Sequence, residues 1–440
     1  MDAFSEHERK REKITAELAA ARARGALIGL RKPTSNVFRH RDQTGKWKID
    51  VRRCNRVLHI DKERMSADVE GMTTYETLVE ETLRYGLLPP VVPQLKTITV
   101  GGAVSGLGIE SSSFRFGLVH ETVVEMEILL GDGTTIVCSR SKNPDLFYGF
   151  PNSYGTLGYV LRLKIRLIPA KRYIHLTHTR FSEPNRYFTH IAELCGHEDV
   201  DYLDGTVFGK DEMYVTAGEF SELAPSASDY TYMGIYYKSI PRKQEDWLTT
   251  KAYVWRWDTD WFWCSKQFGV QNPAVRLLVT KGALNSRTYQ RLMRLSRRVW
   301  PESNSTESVI QDVDIPIENA VDFFDFLLSE IGITPVWICP FKSHDQEAMY
   351  SLYALDPEKL YINFGFWGTI ATSHGDGYFN KKVERKVLEL KGKKGLYSTV
   401  YYDVDTFWGL YSKRSYDELK RKYDANGVFQ DLYAKCVERK

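Results

Sequence analysis

The chain has no cysteine pair spaced C-x-x-C, no long apolar run and no excess of either charge, and each absence removes a class of function. Its six cysteines (Cys54, Cys138, Cys195, Cys264, Cys339, Cys436) are scattered over 440 residues. That spacing argues against a zinc ribbon and against a disulfide framework, and fits a reducing compartment. No stretch reaches the roughly 20 apolar residues needed to span a bilayer. Lys and Arg number 60 against 57 Asp and Glu, so no global nucleic-acid footprint is indicated. The opening MDAFSEHERKREKITAELAAARARGAL is too charged for a secretory signal. The expectation is a cytoplasmic protein, soluble or peripheral to a membrane. Its 42% hydrophobic content suffices for one large or two ordinary cores.

What is present begins with a charged leading helix over residues 2–25, rich in Ala, Glu, Lys and Arg, read as exposed. A polar loop follows over Gly29–Arg41, then a short strand at Val57–Ile60. Ser66–Tyr85 reads as a turn into a helix ending at Gly86, and Leu87–Val92 as an extended, proline-flanked connector. Val123–Leu130 alternates as a strand, Gly131-Asp132-Gly133 is a hairpin turn, and Thr134–Cys138 returns. Asn143–Phe150 reads as a capped helix and Tyr159–Pro169 as a long strand. Further strands are expected at Tyr173–His178, Met213–Ala217, Tyr232–Tyr237, Val309–Ile315, Val336–Pro340, Leu360–Phe364 and Leu396–Tyr402. Helices are expected at Asn319–Ile331, Tyr378–Gly392 and Ser415–Val437. No repeat is apparent.

Four glycines, Gly101, Gly102, Gly106 and Gly108, follow the β-branched Ile98–Val100 within eight residues. Glycine lets backbone N–H groups approach an anion, so the cluster suggests a phosphate cradle, with a plain structural turn as the rival. It is not a Rossmann fingerprint, because the third glycine is missing at the required offset. It is not a Walker loop, because no Gly-Lys-Ser/Thr follows.

The order glycine loop, strand, Gly-Asp-Gly hairpin, strand, Asn-x-Asp-Leu-Phe-Tyr helix, Gly-Thr-Leu-Gly turn, strand resembles the FAD-binding domain of the vanillyl-alcohol-oxidase/PCMH flavoproteins. The stretches TVGGAVSGLGIESSSFRFGL, DLFYGFPNSYGTLGYV and IRLIPAKRY resemble one branch, the delta(24)-sterol reductase (Diminuto/Dwarf) family. PVWICPF, LYINFG, Phe407-Trp408 and the tail from Lys420 continue the likeness, which runs over about residues 25–440. The likeness fades across 180–300. Eukaryotic members carry an N-terminal membrane anchor where this chain has its charged helix.

The resemblance implies an α+β protein: a PCMH-type two-subdomain FAD-binding domain plus an α+β substrate (cap) domain with an antiparallel sheet. The implied layout is a leading helix (1–25), the FAD domain (26–172), the cap (173–405) and a helical tail (406–440) packing back on the FAD domain. It implies flavin contacts at Thr99, Gly101, Gly102, Gly106, Gly108, Ile109, Glu110, Ser111 and Ser112, and at Gly155 and Gly158. A first pyrophosphate loop is implied near Arg31–Asn36. His40, near the first loop, lacks the Arg-Gly-Gly-His context of covalent members, so FAD is expected to be noncovalent; His120 is the next candidate for attachment, with a core or surface histidine as the rival. Active-site candidates are Gln311 and Asp312 on the substrate-side strand, Tyr397 as proton donor and Lys422 at the flavin edge. Lys422 reads equally as an exposed tail lysine, Tyr397 as a core tyrosine, and Cys339 as a buried small hydrophobe.

The implied chemistry is reduction of a carbon–carbon double bond in an apolar lipid, with hydride from reduced flavin N5 and NADPH as transient electron donor. Rival readings are a reductase of methylene-branched fatty acyl chains and an FAD-dependent alcohol or sugar oxidase. Residues 241–300 hold twelve Lys/Arg against four acids, and Trp255, Trp257, Trp261 and Trp263 fall within nine residues. That stretch suggests a peripheral membrane contact through Trp255–Trp263 and the basic 281–300, or a wall of an apolar tunnel, against ordinary core aromatics.

Overall fold

The computed structural model describes residues 2–32, 38–39, 45–299 and 305–439, the side chains of 294 and 296–299 excepted. In the N-terminal third, β1 (Ile28–Arg31) and β2 (Trp47–Asp50) form a parallel pair. β3 (Val57–Asp61), β4 (Ser66–Glu70), β6 (Val123–Leu129), β7 (Thr135–Ser139) and β8 (Tyr159–Arg166) form an antiparallel sheet ordered β3-β4-β8-β6-β7. β5 (Leu87–Leu88) pairs with β9 (Ile168–Pro169). The rest of the strands build one eight-stranded antiparallel sheet. They are β10 (Tyr173–Phe181), β11 (Tyr202–Gly209), β12 (Glu212–Ser221), β13 (Glu245–Thr249), β14 (Thr306–Pro316), β15 (Val336–Phe341), β16 (Tyr361–Ala371) and β17 (Lys393–Lys394). Their order is β13-β10-β12-β11-β15-β16-β14-β17. The α+β class with antiparallel sheets is what the sequence implied.

Helices Pro184–Leu194, Ala320–Phe326 and Tyr378–Glu389 cover one face of the large sheet, packing Phe188, Phe323 and Val383 against sheet residues such as Phe364. The opposite face packs toward the five-stranded half in a second, larger core that includes Trp337, Cys339 and Trp257. Along β14 the period-2 alternation divides the residues between these faces. Val309, Val313 and Ile315 enter the helix-covered core, and Asp312 and Asp314 point the other way.

Some segments differ from their sequence reading for identifiable reasons. Ser66–Glu70 is a fully buried central strand rather than a turn. Its polar look misleads because both carboxylates are paired inside: Asp68 with Arg162 at 2.5 Å, and Glu70 with His7 and Lys10 at 3.0 and 2.9 Å. Tyr236–Ser239 is a helical turn, with Tyr236 buried edge-on against Trp257. Leu396–Tyr402 is irregular rather than a strand, since the ladder to β14 ends at Lys393–Lys394. The leading helix, Ala3–Ala23, is not exposed all round: His7, Ile14, Leu18 and Ala21 are buried against the five-stranded half. The tail helix Lys413–Tyr423 packs on Pro144–Gly149, where Leu419 sits over Gly149 and Lys420 donates to the Thr156 carbonyl at 2.7 Å.

Candidate active site

Gly101 and Gly102 lie in a short helix, Val100–Ser105, with Gly106 as its C-cap and Gly108 in the irregular segment beyond. Thr99 caps the start of the helix, its hydroxyl accepting from the Gly102 N–H at 3.3 Å. Two glycines serve close packing. A Cβ on Gly101 would lie 2.6 Å from the Gly71 carbonyl oxygen, and one on Gly108 would lie 2.6 Å from a Val119 methyl. Gly102 is exposed, and Ser105, Leu107 and Ile109 are partly so, which leaves one open side along Gly102–Ile109.

The turn 152–158 docks on this open segment: Tyr154 N–H donates to the Ser105 carbonyl at 2.7 Å and Asn152 N–H to Gly106 at 3.3 Å. Its backbone is left-handed at Asn152, Tyr154 and Gly155, and Gly158 adopts φ +151°. At Gly158 a side chain would also strike Ile128 at 2.6 Å, so only glycine satisfies both demands. Arg39 stacks its guanidinium over Tyr154 at 5.0 Å and donates to the Leu396 carbonyl at 2.7 Å. Phe38 meets the ring of Tyr397 edge-on at 5.8 Å. Residues 38–39, 105–106, 152–154 and 396–397 therefore converge.

Around this convergence, buried polar atoms stand without partners: Arg39 Nε and Nη2, Asn152 Oδ1, Ser153 Oγ and Asp312 Oδ1. Unsatisfied buried groups are costly, and a ligand rich in phosphate, hydroxyl and carbonyl groups would satisfy them. The residues present thus fit an FAD laid along Gly102–Ile109 and the 152–158 turn.

On the large sheet, Asp312 hydrogen-bonds the Tyr397 hydroxyl, and Trp367 Nε1 donates to the same hydroxyl at 3.0 Å. Gly365 lies opposite Asp312 in register, where a Cβ would come within 2.7 Å of Asp312 Oδ1. Burial pushes the Asp312 carboxyl up to about 8, against the lowering effect of the Tyr397 hydrogen bond. Burial likewise carries Asp314 up to about 6, although Tyr353 and Asn363 both donate to it. Lys393, near Asp314, is pushed down to about 8 by burial. Burial therefore favours the neutral form of Asp312, whose hydrogen-bond partner is a phenol.

Not all expected residues join this site. Gln311 is one residue from Asp312 but faces the helix-covered core, donating to Asn380 Oδ1 at 2.5 Å. Lys422 is exposed and ion-paired with Asp145 at 2.7 Å on the outer face of the tail helix. Its neighbour Lys420 is the inward lysine, held by Asp424 and the carbonyls of Thr156 and Phe429. The side chains of Glu110, Ser111 and Ser112 turn inward, away from the open side of the glycine helix. His120 is fully buried edge-on against Tyr350 at 4.2 Å, and burial lowers it to about 3. Residues 33–36 of the expected first loop, and His40, lie outside the described residues.

Glu110 and Ser111 belong to a buried clasp that sequence reasoning missed. Arg256 reaches Glu110 at 3.0 Å and Asp204 at 2.7 Å, and lies 3.9 Å over the ring of Tyr253. Ser111 Oγ meets the Tyr253 hydroxyl at 2.9 Å, and Trp337 Nε1 donates to Asp204 at 3.1 Å. Ser112 Oγ donates to the Pro90 carbonyl at 2.6 Å. The available signal was WRWDTDW itself: charges of both signs among tryptophans imply ion pairs buried with the rings. Trp255, Trp257, Trp261 and Trp263 are all buried, so they form core and not a surface contact. Among the described residues no helix is long and apolar enough to cross a membrane.

Residues 9–139 match the FAD binding domain family, a span that takes in most of the leading helix and the whole glycine segment. The chain is 28% identical over 401 residues to human (Homo sapiens) delta(24)-sterol reductase, covering 87% of this chain and 76% of that protein. It is 25% identical over 470 residues to the Arabidopsis thaliana delta(24)-sterol reductase, covering 95% and 80%. Cytokinin dehydrogenase 2 of Arabidopsis thaliana is 30% identical over 152 residues, about a third of either chain. With its fold and glycine segment, the protein is an FAD-dependent oxidoreductase that carries an FAD binding domain match over residues 9–139. Over most of its length it is similar to the delta(24)-sterol reductases.

Proposed function

We propose that the protein reduces a carbon–carbon double bond of an apolar lipid, as a delta(24)-sterol reductase does, using noncovalently held FAD recharged by NADPH. The observation that carries the reading is the Asp312–Tyr397–Trp367 group beside the convergence of residues 38–39, 105–106 and 152–154. Reduction of an alkene needs one hydride and one proton. Bound and reduced FAD supplies the hydride. Asp312, neutral near pH 7, holds the proton at its carboxyl oxygen and passes it through the Tyr397 hydroxyl to the second carbon. Trp367 fixes that hydroxyl by donating to its oxygen, so the phenolic proton is directed along one path. Phe38, Tyr397 and Trp367 present apolar ring surface suited to a lipid and exclude water from the reacting carbons.

In this reading the enzyme works in the cytoplasm, peripheral to a membrane, where the basic stretch 281–300 meets lipid. The leading helix and residues 26–172 hold FAD, residues 173–405 hold the lipid, and the tail braces the 152–158 turn. The test is anaerobic stopped-flow mixing of the FAD-loaded protein with NADPH, followed by desmosterol and product analysis. Flavin bleaching by NADPH and recovery of colour on adding desmosterol are expected. Absence of bleaching would remove the reductase reading in favour of an oxidase. Bleaching with recovery only on a 10-methylene fatty acyl lipid would shift the substrate to a branched acyl chain.

A further inference from the structure

We propose that the edge formed by the helices Pro273–Leu278 and Ser286–Val299 docks on an anionic bilayer and admits the lipid from it. The proposal rests on the substrate reading above and adds the partner surface.

Leu278 is 87% exposed and Leu277 64%, two adjacent leucines at a helix end. Their exposure is enforced by their neighbour. Arg276 is fully buried and grips both oxygens of Asp260, at 2.8 and 3.0 Å. A guanidinium fork on a buried carboxylate fixes the rotation of so short a helix, and the next two side chains are left outside. The second helix is seated on the same loop: Ser286 Oγ donates to Asp258 at 2.5 Å and the Tyr289 hydroxyl to the Thr259 carbonyl at 3.0 Å. It exposes Leu292 and Leu295 on its far side. Exposed leucines on two helices seated on one loop, above an otherwise well-filled core, mark a surface that meets something apolar.

Charge around this edge selects the partner. Lys238 feels the positive charges of Lys266, Arg242 and the buried Arg276, with Asp260 the opposing charge, and Arg291 is exposed on the second helix. Leucines inserted below a rim of Lys and Arg match the interface of a bilayer with anionic headgroups. Beneath the edge, rings lead inward to the site. Tyr289 stacks parallel to Trp261 at 6.4 Å, Trp261 lies 5.5 Å from Phe38, and Phe38 meets Tyr397 at 5.8 Å. This continuous line of apolar rings joins the docking edge to the Asp312–Tyr397 group, and a lipid admitted there would part these rings rather than meet polar groups. Trp261 is the tryptophan on that line, and the leucines make the contact.

The test is flotation of the FAD-loaded full chain with vesicles of equimolar phosphatidylcholine and phosphatidylglycerol, against phosphatidylcholine alone. On the anionic vesicles a bound fraction about 10-fold higher is expected at low salt, falling as salt rises. Leu277→Ser/Leu278→Ser should cut that binding about 10-fold, with thermal midpoint and turnover of detergent-dispersed desmosterol unchanged. Leu278→Glu alone, at the more exposed position, serves should the double variant fold poorly. Wild-type protein that stays off the anionic vesicles, or a leucine variant that floats as well as wild type, overturns the proposal. Failure to turn over desmosterol in detergent strikes the substrate reading instead, and flotation still decides the docking edge.

Discussion

A carboxylic acid that stays protonated at neutral pH has two measurable consequences, and Asp312 should show both. Its ordinary value is 3.8 and burial raises it to about 8. If the neutral form delivers the proton, kcat/KM should be flat below about pH 8 and fall above it. Asp312→Asn, which keeps the shape but has no acidic proton, should lower kcat by roughly 100-fold and erase that limb in a pH–rate profile. The stability effect has the opposite sign. Between about pH 4 and 8 the unfolded chain releases the proton that the native state retains, so Asp312 costs stability as pH rises through that window. Asp312→Asn should therefore unfold at the same temperature as wild type or higher at pH 7, measured by differential scanning calorimetry. Loss of activity with a lowered melting temperature would point to a structural role. Lys422 offers the converse case. An exposed ion pair contributes about 0–1 kcal/mol, so Lys422→Ala should leave kcat and KM within about two-fold of wild type.

At the scale of elements, the leading helix is held by a charge network rather than by its apolar face alone. His7 Nδ1 meets Glu70 at 3.0 Å and Nε2 lies 3.5 Å from Glu127, with Lys10 and Arg11 on the same carboxylates. Burial opposes the charge on His7, but the hydrogen bonds and charges of Glu127 and Glu70 outweigh it and raise the imidazole to about 9. A raised histidine stabilises fully below its ordinary 6.5 and loses that contribution as pH climbs through about 9. The melting temperature should consequently fall between pH 7 and 10 in wild type, and His7→Ala should flatten that slope while lowering stability at pH 7 by roughly 2–3 kcal/mol. This clamp was hidden in the sequence because its members lie far apart: His7, Glu70 and Glu127 meet only when the helix crosses β4 and β6. The strands Val123–Leu129 and Thr135–Ser139 with their Gly-Asp-Gly turn were legible, because alternation and turn chemistry are local. Leu396–Tyr402 has the composition of a strand, yet the pairing to β14 stops at Lys394 and the segment that carries Tyr397 is irregular.

At the scale of the whole molecule, Arg256 ties the two halves. It bridges Glu110, which follows the glycine helix, to Asp204 on β11. Removing one member of a buried network leaves uncompensated charge, so Arg256→Ala should cost about 3–5 kcal/mol. Calorimetry should show a lower midpoint, and FAD release monitored by flavin fluorescence should occur at a lower temperature. Unchanged FAD retention would mean that the clasp braces only the cap. Arg256→Met, of similar volume, leaves the same two carboxylates unpaired and should be no better, whereas pairing it with Glu110→Gln and Asp204→Asn should restore part of the loss.

The glycine segment, the Gly-Asp-Gly hairpin and the Gly-Thr-Leu-Gly turn implied an α+β flavoprotein from sequence through their family resemblance. Left-handed backbone, as at Gly155, is a local requirement that the residue itself reveals. Asp312 and Tyr397 were also legible as candidates, through the resemblance of their stretches. Which candidates share a site was decided by the tertiary structure alone. Pleating sends Gln311 and Asp312 to opposite faces of one sheet, and the turn of the tail helix puts Lys420 inside and Lys422 in water. The fate of the tryptophans was likewise tertiary. A Trp-rich, Arg-rich stretch can face a membrane or fill a core; the partners of Arg256, distant in the chain, pulled it inside, while the Arg276–Asp260 pair within the stretch left Leu277 and Leu278 outside.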